Sequence, residues 1–286
     1  MKKNSYCVFI LSNGRPDNVI TYKTLKKCGY TGKVFIVVDD KDSKIDQYKK
    51  NFQNVIVFNK NLISKKFDQF DNFKNKNTVV YARNACFEIA KKLGYKYFVQ
   101  LDDDYRAFEY RKIKNNKLAV ESVKSLDNVF AIMVRFISET PTTSIALAQG
   151  GDFIGGVGSD FAVKGGLKRK AMNSFVCSTD KSFFFHGRIN EDVNTYVLLG
   201  SRGYLFFTTH LASLVQKQTQ KTKGGMSDVY LDNGTYLKSF YSVICSPSSV
   251  KIKALNANHK RVHHSIKWIN AVPKIISEGY KKYESN

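Results

Sequence analysis

Long apolar runs are missing from this 286-residue chain: none approaches the roughly 18 residues needed to span a bilayer. The opening Met1-Lys2-Lys3-Asn4-Ser5 leads straight into a short strand-like segment, without the apolar core and cleavage site of a secretory signal. Cysteine is sparse and unpatterned. Cys7, Cys28, Cys86, Cys177 and Cys245 are odd in number and lack Cys-x-x-Cys spacing, which argues against a disulfide framework and a zinc site. They predict reduced thiols, mostly in the core of a cytosolic protein. Internal repeats and low-complexity linkers are absent too, so the length is expected to form one domain over 1–286. Acids are in deficit: 24 stand against 46 basic residues, for a net charge of +22. Such an excess draws polyanions, making nucleic acid, an acidic polymer or a membrane surface the candidate partners. Most of it is lysine, so a generally lysine-rich surface is the plain alternative.

What is present reads as alternating strands and helices. Tyr6–Leu11 is a continuous apolar run, as a buried parallel strand should be, and it stops at the turn cluster Ser12–Pro16. Asp17 is expected to cap a helix that Gly29 ends. Strands follow over 33–38, with Asp39 and Asp40 at the end, and over 54–58, separated by a helix near 43–51. Residues 60–78 read as loop with short helical turns, 82–93 as a helix whose start carries Arg83 and Asn84, 106–117 as a charged hairpin and 122–138 as an amphipathic helix. This order predicts an α/β fold with a mostly parallel sheet flanked by helices and a decorated second half. Gly150 to Gly166 is crowded with glycine, in turns or a closing loop, without the spacing of a dinucleotide fingerprint or Walker loop. Strands are expected over 175–185 and 204–209, a mobile loop over 216–226, a helix within 227–241 and a basic closing segment over 251–286.

The chemistry is concentrated in Tyr95–Asp104, an apolar and aromatic run ending in Asp102-Asp103-Asp104. Acids at the carboxyl end of a strand lie where open α/β folds bind ligands. On an extended backbone Asp102 and Asp104 point to one side, a pairing suited to Mg²⁺ or Mn²⁺ shared with phosphate oxygens. The plain alternative is an acidic turn. Glu191-Asp192 open a second helical run, as either functional acids or a dipole-favoured first turn. His259, His263 and His264 lie in the basic segment, as ligands or as part of a basic surface. Lys168-Arg169-Lys170, Lys217, Lys221 and Lys223, and Lys251, Lys253, Lys260 and Arg261 are candidate phosphate contacts or solvated surface.

Taken together, Ser12-Asn13-Gly14-Arg15-Pro16, Arg83-Asn84, Gln100-Leu101-Asp102-Asp103-Asp104, Asn190-Glu191-Asp192, His263-His264-Ser265-Ile266-Lys267-Trp268 and Pro273-Lys274 resemble the TET-associated glycosyltransferases. That family, found in phages and their relatives, sugar-modifies hydroxymethylated pyrimidines in DNA. The resemblance implies a glycosyltransferase-A fold, with residues 1–105 holding the nucleotide sugar and 106–286 the acceptor. It implies a UDP-sugar donor, with glucose the expected sugar, and Mn²⁺ or Mg²⁺ on Asp102 and Asp104, joined by His263 or His264. Ser12, Asn13, Arg15, Asp39, Arg83, Asn84, Asp103, Gly155 and Gly156 would contact the donor. Asp192 or Glu191 would serve as base if the anomeric configuration inverts; if it is retained, they would orient the acceptor. Lys168, Arg169, Lys170, Lys221, Lys223, Lys260 and Arg261 would contact double-stranded DNA. A cytoplasmic monomer without membrane attachment is implied. A glycan or protein acceptor is the alternative, and a DNA-binding module with purely structural acids is a third reading.

Overall fold

A computed structural model describes residues 5–216, 236–256 and 260–274. The strands of its main sheet are β1 (Tyr6–Leu11), β2 (Val34–Asp39), β3 (Val55–Phe58), β4 (Tyr97–Asp102), β5 (Tyr105–Lys114), β6 (Lys117–Ser122), β7 (Thr142–Gln149), β8 (Phe175–Ser178) and β9 (Leu205–Gln216). They lie in the order β3-β2-β1-β4-β8-β7-β9-β5-β6. The first four are mutually parallel. Beyond them the sheet is mixed: β8 runs against both β4 and β7, β9 runs with β7, and β5 runs against β9 and β6. The α/β architecture read from the sequence is therefore present, with both halves of the chain in one sheet.

Helices α1 (Ile20–Lys27), α2 (Ile45–Asn51), α3 (Lys60–Ser64), α4 (Val80–Lys92), α5 (Leu126–Glu139), α6 (Asp160–Lys164), α7 (Glu191–Gly200), α8 (Leu237–Cys245) and α9 (Trp268–Ala271) complete the main body. Strand alternation sorts them into two layers. Val8 and Ile10 pack with Leu25 of α1, Tyr48 of α2 and Phe130 of α5. Cys7, Phe9 and Leu11 pack on the other face with Ala85 and Cys86 of α4 and Val193 of α7. All five cysteines are free, four of them buried and Cys245 half-buried. No helix among the described residues is long and apolar enough to cross a membrane. Outside the main sheet, β10 (Val250–Asn256) and β11 (Lys260–Ile266) form a separate antiparallel ribbon.

Several local expectations are corrected. Asp17 does not cap α1, whose N-cap is Val19. Its carboxylate instead accepts from Gln47 Nε2 at 2.7 Å and Asn51 Nδ2 at 2.9 Å. Helix α4 starts two residues earlier than expected, which places Arg83 inside it. The glycine-rich stretch forms short 3-10 turns and α6. Only Phe175–Ser178 of 175–185 is a strand, while the strand expected over 204–209 extends to Gln216. The closing basic segment begins as the β10–β11 ribbon. The expected loop over 217–226 and the first part of the helix over 227–235 lie outside the described residues.

Gly29, which follows α1, has φ +73°, and a Cβ there would stand 2.2 Å from the Lys124 carbonyl oxygen. Gly29→Ala is expected to cost roughly 1–3 kcal/mol through backbone strain and collision. Urea unfolding reads this as a lowered midpoint, and an unchanged midpoint would show that the neighbouring chain yields freely.

Candidate active site

Parallel strands bring the site together. Leu11 is in register with Val37 on one side and Asp102 on the other, so Ser12, Asp39 and Asp102 emerge along one sheet edge. Strand β4 ends at Asp102, and Asp103 and Asp104 form the turn into β5. The extended spacing expected of Asp102 and Asp104 is therefore replaced by a turn. Thr21 of α1 pins it: its N–H donates to Asp103 O at 3.1 Å, its hydroxyl donates to Asp102 O at 2.6 Å, and Tyr105 N donates back to that hydroxyl at 2.9 Å.

The three acids have different surroundings. Asp103 is buried, accepting from Ser12 Oγ at 2.5 Å and pairing with Arg15 Nη2 at 2.8 Å. Ser12 Oγ also lies 2.7 Å from Tyr48 Oη, which accepts from Arg15 N at 2.9 Å. Asp103 thus organises the first loop from within. Asp104 is half-buried; Gln216 Nε2 donates to its Oδ2 at 3.3 Å, while its buried Oδ1 has no hydrogen-bond partner among the described residues. Asp102 is held by Arg83 Nη2 at 3.0 Å. Nearby Asp39 is buried between Asn13 Nδ2 at 2.8 Å and Lys60 Nζ at 2.9 Å, and also accepts from Lys41 N.

Arg83 joins the two halves of the chain. It is the fourth residue of α4 and its N–H is bonded to Val79 O, so it lies within the helix and not at its start. Its side chain is 1% exposed. Nε pairs with Glu191 Oε1 at 2.8 Å and Nη1 donates to Asn173 O at 3.3 Å, with Phe175 and Phe185 rings 5.1 and 5.8 Å away. Burial opposes its charge, but Asp102 and Glu191 more than offset this, so its pKa stands above the ordinary value. Asn84 spends its amide on Phe185, accepting from the backbone N at 2.8 Å and donating to the backbone O at 3.0 Å.

Negative charge exceeds what these cations neutralise. Burial, then the Asp102 and Asp103 charges, push Asp104 up to about 7. Burial pushes Asp103 up to about 6 against the opposing pull of Arg15. At the start of α7, Glu191 and Asp192 are both buried and both raised; burial is the main cause, and Asp192 adds to it for Glu191. With Glu191 tied to Arg83, Asp192 is the acid of this pair without an ion-pair partner among the described residues.

The remaining predicted residues are spread around this centre. Lys170 is turned inward, its Nζ 3.2 Å from His263 Nε2 and 3.0 Å from His264 Nε2. His264 is lowered to about 2 by burial first and then by Lys170. Arg169 pairs with Asp152 at 2.9 Å, whereas Lys168 is exposed. Gly155 and Gly156 have φ of +97° and +55°, and a Cβ on Gly156 would meet nothing within 4 Å. His259, Lys217, Lys221 and Lys223 lie outside the described residues. Lys260 and Arg261 are described only as backbone of β11. Sequence reasoning missed Thr21, Tyr48, Lys60, Asn173 and Gln216. Of these only Lys60 carried a signal, a cation just past the carboxyl end of a parallel strand.

Among the described residues no three or more His, Cys, Asp or Glu side chains form a metal-holding group. The expected set of Asp102, Asp104, His263 and His264 is thus not assembled as one cluster. Asp102 and Asp104 nevertheless suit a Mg²⁺-type ion, which needs one or two carboxylates when substrate phosphates complete its shell. The bare Asp104 oxygen fits that use.

The family model described as TET-Associated Glycosyltransferase matches residues 6–225, across the sheet and both acid clusters. The chain belongs to that family. It is therefore a glycosyltransferase. No curated protein matches it. Among solved structures it is similar to glucosyl-3-phosphoglycerate synthase from Mycobacterium tuberculosis in complex with Mn²⁺, UDP and phosphoglyceric acid, at 8% identity and TM-score 0.44, over 92% of this chain and 87% of that one. It is also similar to S. aureus TarS 1-349 at 13% identity and TM-score 0.39, over 84% of this chain and 65% of that one. Likenesses this distant carry no functional argument.

Two outcomes follow from the charges. Arg83→Met strands the buried Glu191 and the half-buried Asp102 and is expected to lower stability by about 3–5 kcal/mol, with a smaller loss once Glu191→Gln is added. Additive losses in thermal unfolding would show that the pair is not coupled. An acid raised in the folded state binds extra protons there, so its contribution is complete below its unfolded pKa and vanishes through the folded one. Asp104→Asn should therefore gain in urea midpoint relative to the wild type as pH rises from about 4 to about 7. A constant difference over that window rejects a desolvated Asp104.

Proposed function

We propose that this glycosyltransferase moves a sugar, with glucose the expected one, from a UDP-sugar to the 5-hydroxymethyl group of a pyrimidine in double-stranded DNA. The observation that carries the reading is the acid turn at the sheet edge, where one Asp104 oxygen has no partner among the described residues. Family membership and the net charge of +22 support a polyanionic acceptor. Asp102 and Asp104 would hold Mn²⁺ or Mg²⁺. When bound, the ion supplies Lewis-acid neutralisation of the charge that develops on a departing diphosphate.

The chain's own residues divide the other tasks. Asn13 and Lys60 fix Asp39 at the same edge, where it can accept hydrogen bonds from a uracil or ribose. Ser12 and Arg15, locked onto Asp103, shape the donor loop; the Arg15 side chain keeps 23% exposure from which to meet a phosphate. Asn84 keeps the Phe185 segment in place beneath the acceptor acids. Asp192 would take the hydroxyl proton if the configuration inverts; burial raises its pKa, which makes its carboxylate a stronger base. If the configuration is retained, Asp192 orients the hydroxyl instead. Open space at Gly156 would let the backbone come close to the sugar.

A panel of UDP-sugars incubated with hydroxymethylated duplex DNA, followed by nucleoside mass spectrometry, tests this reading. The expected product is a glycosylated hydroxymethylpyrimidine. Its yield should fall about 100-fold or more in Asp104→Asn and in Asp192→Asn, each with the fold intact by circular dichroism. Full activity of Asp104→Asn would reject the metal assignment. Transfer to glycan or protein acceptors, with none to DNA, would replace the acceptor.

A further inference from the structure

The β10–β11 ribbon is built unlike the rest of the molecule. Its base is anchored: Val250 is 1% exposed and His264 5%, with His264 on the Lys170 ammonium. Beyond the base, Lys251, Ile252, Lys253 and Ala254 on one strand and Val262 on the other are all exposed. Successive strand residues point to opposite faces, so exposed side chains lie on both faces, while His263 and His264, opposite Lys253 and Ile252, rest on Lys170. An uncovered two-stranded ribbon gains little from burial and is marginal alone. The two faces also differ chemically. Lys251 and Lys253 share one face, while Ile252, Ala254 and Val262, the cross-strand partner of Ala254, share the other. Among the described residues no acid pairs with either lysine.

We propose that this ribbon enters the major groove of the acceptor duplex and sets the target pyrimidine against the active site; the inference rests on the reading of DNA as acceptor. A two-stranded ribbon is one of the elements that a major groove about 12 Å wide admits. The C5 substituent of a pyrimidine projects into that same groove, so an element seated there would meet the group to be modified. Lys251 and Lys253 supply charge complementary to the phosphates, and the Ile252, Ala254 and Val262 face supplies apolar contact for C5 substituents. The anchor places the ribbon near the acceptor acids. Val250 at the ribbon's base packs in the same core as Val193, the residue that follows Asp192.

The test compares the wild type with Lys251→Ser/Lys253→Ser and with Ile252→Ser/Val262→Ser. Anisotropy with hydroxymethylated duplex across a salt series is read beside transfer to the free hydroxymethyl nucleoside. The lysine variant should bind duplex roughly 10-fold more weakly at low salt, with a log K against log salt slope shallower by about 2. The apolar variant should lose affinity with the slope kept. Both should retain nucleoside transfer, and saturating the minor groove with netropsin should leave wild-type binding unchanged. Unchanged duplex affinity and slope in the lysine variant, or displacement by netropsin, overturns the ribbon's role while the acceptor reading stands. A wild type that neither binds nor modifies hydroxymethylated DNA overturns the acceptor reading, and the ribbon's role with it.

Discussion

One buried guanidinium sets the terms for the whole site. Arg83 is buried and is kept charged by Asp102 from the end of β4 and Glu191 from the start of α7. Those acids come from opposite ends of the chain's business, the edge expected to receive the donor and the helix expected to meet the acceptor. A planar fork with several donors can hold both at once and still reach the Asn173 carbonyl, which a lysine's point charge could not reproduce. Distance and angle between the two acid clusters are therefore fixed by a single side chain.

The same economy leaves the site short of positive charge. Arg83 is shared, Arg15 is committed to Asp103, and Lys60 to Asp39. Asp104 and Asp192 remain in poorly solvated positions with their pKa values pushed up. Desolvated acids lower stability near neutral pH, and proteins retain such groups chiefly where chemistry uses them. A bound cation near Asp104, and a proton passing to Asp192, would each relieve part of that burden during a reaction cycle.

Much of this was legible in the residues, and the limits have physical causes. Strand β1 is visible as Tyr6–Leu11 because a strand buried on both faces must be apolar throughout. The acidic turn is visible because three carboxylates ending an apolar run are hard to place elsewhere. Arg83's partnership with Glu191 is not, since 108 residues separate them and local spacing says nothing about a contact that distant. An extended backbone would put Asp102 and Asp104 on one side, and the turn at Asp103 removes that premise. Thr21, Tyr48 and Gln216 sit in ordinary-looking elements and acquire their roles only through packing. The alternation Val250-Lys251-Ile252-Lys253-Ala254 does carry the period of a strand, but the high charge of the segment obscured it.

The reversed strand β8 has a consequence for the way the molecule is made. Emerging from a ribosome, β1 to β4 can assemble as a parallel unit, yet β4 pairs on its outer side with β8, and the chain over 103–174 must be synthesised first. Throughout that interval the nascent protein carries an open strand edge flanked by apolar side chains, a template for wrong partners. Closing it also seats Phe175 beside Arg83, so the cation becomes sealed from water at the moment the sheet is completed.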